Sequence, residues 1–184
     1  NNPQETNALL ASVIIDTAAG NFSSAQTTLD GVLGRQPNHA TALYIYSELE
    51  LARNRFDAAL SRAQQAYELD PLSPWINVNL AIVHFWRSEY QPALEAVQNA
   101  IRIDNNYTWA YVWQAKIFHR QGQLSAAINS MLQSADIDSA SEVNSAYTGL
   151  LYLEIGDEEQ AEYWFRHTAS LLGDTPQARF WQGL

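Results

Sequence analysis

Slid against itself, the chain matches at an offset of 34 residues, and no other feature limits its fold so strongly. The register is clearest in a column of alanines: Ala25, Ala59, Ala93, Ala127 and Ala161. Upstream of each stands a breaker or small polar residue, at Gly20, Asn54, Ser88, Gly122 and Gly156. Two residues past that break a large apolar side chain follows at Phe22, Phe56, Tyr90 and Leu124, while the fifth copy has Glu158. A further small or β-branched column runs Val32, Ala66, Ala100, Ser134 and Thr168, and each copy closes on a helix stopper at Pro37, Pro71, Asn105, Ser139 or Gly173. Several columns in one register, with no insertion, define a five-copy array.

Each copy has room for two helices. "ATALYIYSELELAR" and "FDAALSRAQQAYELD" carry apolar residues at the 3-and-4 spacing of amphipathic helices, and "RN" and "PLS" supply the breaks. Nothing alternates with period two over a useful length, so an all-α chain is expected. The most apolar run, "WINVNLAIVHFW" at 75–86, includes Asn77, Asn79 and His84. A bilayer span takes about 20 predominantly apolar residues, so this run reads as a helix and no membrane partner is expected. The alanine column has a physical cause. Helices pack 8–10 Å apart depending on the residues at their crossing, and alanine permits the short end. Val13, Ser47, Ala81, Ala115 and Gly149 form the facing column on the first helices. These residues read as scaffold.

Charge narrows the partner class. Twenty acidic residues stand against ten basic ones, a net charge of −10, and Lys116 is the one lysine. No basic stripe exists, so the electrostatic footprint of a nucleic-acid binder is missing. With no cysteine, thiolate chemistry and cysteine-based metal sites are excluded. The compartment stays open, with cytoplasm favoured over periplasm. Starting at Asn1 without a charged-then-apolar leader, the chain reads as a piece of a longer or processed protein.

A 34-residue two-helix unit with these small-residue columns resembles the tetratricopeptide repeat. The second copy, "NRFDAALSRAQQAYELDP", carries the turn, the aromatic, two small anchors and the terminal Asp-Pro of that family. Copies fall at 6–39, 40–73, 74–107, 108–141 and 142–175, with 176–184 as a partial capping helix, making residues 1–184 a single array. Asp16, Glu50 and His84 depart from the pattern, standing where the family usually has an aromatic ring, and Asn77 replaces a bulky apolar residue. The resemblance implies a right-handed superhelical solenoid of antiparallel hairpins, whose first helices line a concave groove that holds a protein or peptide without catalysis. "ELDPLSPWINVNLA" more weakly resembles tetratricopeptide regions of bacterial winged-helix regulators, which implies a larger bacterial protein.

At ~100° per residue, the third first helix splits into two arcs. Leu80, Ala81, Val83, His84 and Asn77 fall toward the scaffold, and Trp75, Val78, Ile82, Phe85 and Trp86 fall toward the groove. The corresponding surface elsewhere takes in Leu10, Ile14, Tyr44, Glu48 and Leu51, then Trp109, Val112, Trp113, Lys116 and His119, then Ala146, Tyr147 and Leu150. The expected binding face is Tyr44, Trp75, Val78, Ile82, Phe85, Trp109, Val112, Trp113, Lys116, His119 and Tyr147, because tryptophan-rich grooves take peptides and partner helices. Leu10, Ile14, Val78, Trp109 and Trp113 stand where carboxylate-clamping members of the family carry polar and cationic groups, which argues against that subtype.

No catalytic or cofactor constellation stands out. His84 and His119 lie on neighbouring first helices but point about 100° apart with no third ligand at a compatible spacing, so no metal is expected. His39 and His167 lack a nucleophile-elbow serine, no phosphate-cradling glycine loop appears, and "GDEEQAE" reads as a helix start. The alternative function is a structural or homo-oligomerisation segment with no separate peptide ligand. A homodimer would then form through the C-terminal end, at Phe180 and Trp181.

Overall fold

The computed structural model describes residues 3–173 and 175–177. Among these, ten α-helices and no strand occur: α1 (Pro3–Ala18), α2 (Phe22–Arg35), α3 (Ala40–Ala52), α4 (Phe56–Leu69), α5 (Pro74–Trp86), α6 (Tyr90–Ile103), α7 (Thr108–Arg120), α8 (Leu124–Ile137), α9 (Glu142–Glu154) and α10 (Glu158–Leu172). The all-α hairpin array expected from the period is what the chain forms. "WINVNLAIVHFW" is α5, begun by Pro74 and capped by Ser73, whose Oγ accepts from the Ile76 N–H. The chain divides into two compact units, residues 1–103 with α1–α6 and residues 104–184 with α7–α10. Phe180 and Trp181, on which the homodimer expectation rests, lie outside the described residues.

Five hairpin turns share one backbone solution. Gly20, Asn54, Ser88, Gly122 and Gly156 are all left-handed, with φ of 78°, 57°, 62°, 73° and 80°. The next N–H then reaches back to a carbonyl five residues earlier: Asn21 to Asp16 (2.8 Å), Arg55 to Glu50, Glu89 to His84 and Gln123 to Phe118 (2.9 Å each), Asp157 to Tyr152 (3.0 Å). This closure satisfies carbonyls that a helix end leaves orphaned. It explains the breaker column. A side chain with a Cβ costs about 1–2 kcal/mol in that region, a penalty that asparagine eases through local hydrogen bonding and serine does not escape.

Packing follows the columns. Ala25, Ala59, Ala93 and Ala127 are fully buried, as are Val13, Ser47, Ala81 and Ala115 facing them. In the first unit the cores join Leu10, Val13, Leu29, Ile45 and Leu49, then Leu43, Ala66 and Ile76, then Ala59, Ala63 and Val83. The second unit gathers Val112, Ala115, Ala127, Ile128, Met131 and Leu151. Its last hairpin trades sizes across the crossing. Gly149 takes the small column's place, and the space goes to the Phe165 ring, whose edge lies 2.5 Å from where a Cβ on residue 149 would sit.

The residues that depart from the aromatic pattern have local partners. Asp16 accepts from Ser24 (2.6 Å) and Asn21, Glu50 sits 3.5 Å from Arg53 and 3.7 Å from Arg55, and His84 Nδ1 meets Glu89 at 2.6 Å. In the second unit the equivalent residues are Phe118 and Tyr152, both packed on its core.

Candidate binding faces

In the first unit, the outward arcs of α3 and α5 carry the expected face. Tyr44 is half-buried between two core clusters, and its hydroxyl donates to Glu48 Oε1 one turn on, at 2.9 Å. Burial pushes the Glu48 carboxyl above its usual range, against the lowering effect of that hydrogen bond. Val78, expected on that face, is buried. Ile82 and Phe85 are half-buried, with the Phe85 ring edge-on to Trp86 at 5.6 Å and tilted against Tyr90 at 6.0 Å. Trp75 and Trp86 stand out at 46% and 54% exposure, Trp86 stacked on Phe56 at the rim.

One residue on that arc was missed by the sequence reading. Asn79 is 1% exposed, yet neither its Nδ2 nor its Oδ1 has a hydrogen-bond partner among the described residues. Asn77, two residues earlier, donates instead to the Pro71 and Ser73 carbonyls at 2.9 Å each. A buried unsatisfied amide is costly, and its polar spacing inside an apolar run was the available signal.

In the second unit, α7 and α9 supply the remaining residues. Trp109 is 56% exposed and Val112 is buried in the core cluster. Lys116 lies across the half-buried Trp113 ring with Nζ 4.3 Å from its centre, and burial lowers its pKa. His119 bridges the two helices, with Nδ1 2.8 Å from the Tyr147 hydroxyl and Nε2 2.8 Å from Glu154 Oε2. Since a carboxylate only accepts, Nε2 donates to Glu154, while Nδ1 lies within hydrogen-bond reach of the Tyr147 hydroxyl. Burial first, and the Glu154 charge second, push the Tyr147 hydroxyl up to about 12. That is the opposite of nucleophile activation; the arrangement ties α7 to α9.

Trp75, Trp109 and Val143 occupy the same place in consecutive copies, and all three are exposed, Val143 at 68%. Beside Trp109, between the start of α7 and the α8–α9 loop, lies a cavity of about 340 Å³. Tyr107, Trp109, Val112, Asp138, Ser141 and Val143 line it. No helix among the described residues is long and apolar enough to cross a membrane.

Hairpins of this length, repeated along the chain with aromatic first-helix faces, define a helical-repeat scaffold. Two family models, both described as tetratricopeptide repeat, match residues 17–74 and 50–117. The chain belongs to the tetratricopeptide repeat family. Its fold is shared with TTC0263, a thermophilic TPR protein of Thermus thermophilus, at 16% identity and a TM-score of 0.83 over 97% of each chain. Pseudomonas aeruginosa pilF is similar at 13% identity and a TM-score of 0.82, over 97% of this chain and 81% of that one. YrrB, described as a TPR protein with an unusual peptide-binding site, matches at 16% identity and a TM-score of 0.65, over 96% of this chain and 91% of the other.

Proposed function

We propose that the chain is a non-catalytic scaffold that holds a peptide or protein segment on its first-helix faces, as the interaction part of a larger bacterial protein. Family membership supports the scaffold role, and a peptide-binding TPR protein among the similar structures agrees with it. One observation carries the finer reading: Trp75 and Trp109, equivalent residues of consecutive copies, keep about half of their surface exposed. An exposed tryptophan contributes little to a scaffold and much to a contact. Tyr44, Ile82 and Phe85 would extend the first unit's contact surface, and Trp113, Lys116, His119 and Tyr147 the second's, with Val78 and Val112 as floor.

The test is enrichment of a displayed random-peptide library on wild type, Trp75→Ala and Trp109→Ala. Peptides should enrich on wild type, and at least one tryptophan variant should bind them about tenfold or more weakly, the loss typical of a hot-spot residue. Equal binding by both variants, with far-ultraviolet circular dichroism unchanged, overturns the reading.

A further inference from the structure

We propose that the cavity beside Trp109 is a subsite for one basic side chain, an arginine or lysine, of a peptide lying along α7. The proposal rests on the groove reading above and names the chemistry of its ligand. Apolar walls come first. Trp109 and Val143 flank the opening, both more than half exposed, and buried Val112 forms the floor. A cavity of about 340 Å³ is near the lower limit for small-molecule sites, so one long side chain suits it better than a cofactor.

Charge selects among long side chains. Asp138 lines the cavity at the C-cap of α8, the negative end of that helix dipole. Its Oδ1 accepts from the Ala140 N–H at 3.1 Å, and its carboxylate forms no ion pair among the described residues. The positive end of α9 also borders the cavity, but Ser141 caps it and Glu142 sits in its first turn. At the α7 side, the Asp104 carboxylate accepts from Asn106 N–H just ahead of the helix. From Gln121 to Phe165 the chain has eight carboxylates and no lysine, arginine or histidine. The site therefore lacks an internal cation, and a ligand's guanidinium or ammonium group would supply one. Its aliphatic stem would lie on Val112 and Val143, and its charge over the Trp109 ring and beside Asp138.

The test titrates the full chain with N-acetyl-L-arginine methylamide, followed by ¹H–¹⁵N NMR, with the citrulline and norleucine analogues as uncharged controls. Saturable shifts should appear at the Trp109 indole and the Val143 and Asn144 amides. The arginine probe should bind roughly three- to tenfold tighter than either control, a margin that shrinks at ~0.5 M salt. Asp138→Asn should erase that margin, and Trp109→Ala should abolish saturable binding. No saturable shift at these residues, equal affinity for the three probes, or a margin that survives Asp138→Asn each overturns the subsite, even if peptide selection succeeds. Conversely, a peptide selection that fails while the arginine probe binds overturns the groove reading and leaves the subsite standing.

Discussion

The first unit closes its hairpins with polar side chains and the second with aromatic ones, at the same place in the repeat. Asp16, Glu50 and His84 each hold the turn that follows them, whereas Phe118 and Tyr152 pack into a core. The backbone is indifferent to the difference, since all five carbonyls accept the same N–H from across the turn. Hairpin geometry is thus set by the left-handed turn and the small-residue crossing. The side chain at this place decides what the closure depends on: ion pairs and hydrogen bonds in one unit, buried aromatic area in the other.

That difference is tested most sharply by truncation. Phe118→Ala should destabilise the second unit by about 3 kcal/mol, the lower range for loss of a packed phenylalanine ring. Asp16→Ala removes exposed hydrogen bonds and should cost about 1 kcal/mol in the first. Urea denaturation, with hydrogen exchange assigning the loss to one unit, measures both. Equal losses would mean that the two closures are energetically equivalent.

Gly149 provides the next largest effect and sharpens the picture of the second unit as packed by bulk. An added Cβ would meet Phe165 carbons at 2.5 and 2.7 Å, so Gly149→Ala should destabilise by about 1–3 kcal/mol despite alanine's better helix propensity. Phe165→Leu in the same chain should recover much of the loss, a coupling that a double-mutant cycle reads directly. Additive losses would show that the ring and the glycine are not matched.

Glu50 tests the polar closure from the other side. It is 5% exposed, its Oε2 has no hydrogen bond among the described residues, and its two arginine partners stand at 3.5 and 3.7 Å. Buried ion pairs of imperfect geometry can be replaced by apolar residues with little loss. Glu50→Met should therefore be neutral or stabilising, within about 1 kcal/mol. A clear drop in the urea midpoint would show that the pair contributes more than its geometry suggests.

Much of this was legible in the sequence, for a physical reason. Close helix crossings tolerate only small side chains, so Ala59 or Ala93 announces its place without any knowledge of its neighbours. On α5, 3.6-residue periodicity separates exposed Trp75 from buried Ala81 and Val83, but it does not show that Val78 and Asn79 on the same arc are buried too. What escaped depends on partners whose positions periodicity does not specify. Asp16, Glu50 and His84 looked like gaps in the pattern because their partners lie in the turns or the next helix. Lys116 gave no hint that it covers Trp113, nor His119 that it joins Tyr147 to Glu154. The cavity at Asp138 needs the start of α7 brought beside the α8–α9 loop, the two ends of one repeat, with Val143 added from the next.

The smallest effect is in pH, and there the two closures should fail at opposite ends. In the first unit, hydrogen bonds from Arg87 and then from His84 hold the Glu89 carboxyl below its ordinary range. A carboxylate with a depressed folded pKa stabilises fully above its unfolded value, and that stability is lost as pH falls through the folded one. The α5–α6 turn should therefore open first in acid, with Ser88 and Glu89 amides losing exchange protection. Arg87 also bonds Asp57, so α4 should respond in the same range. In the second unit, burial and then the Asp157 charge raise the Tyr152 hydroxyl. The folded state keeps that proton longer than the unfolded chain, so stability falls as pH rises past the ordinary tyrosine range. The α9–α10 turn should lose protection there, and Tyr152→Phe should reduce that alkaline loss, the remainder following the Tyr147 hydroxyl, also raised by burial, on the same helix, while leaving the acid limb untouched. Site-resolved hydrogen exchange across the pH range decides it: simultaneous loss in both turns at either extreme would mean that the closure residues do not set where each unit opens.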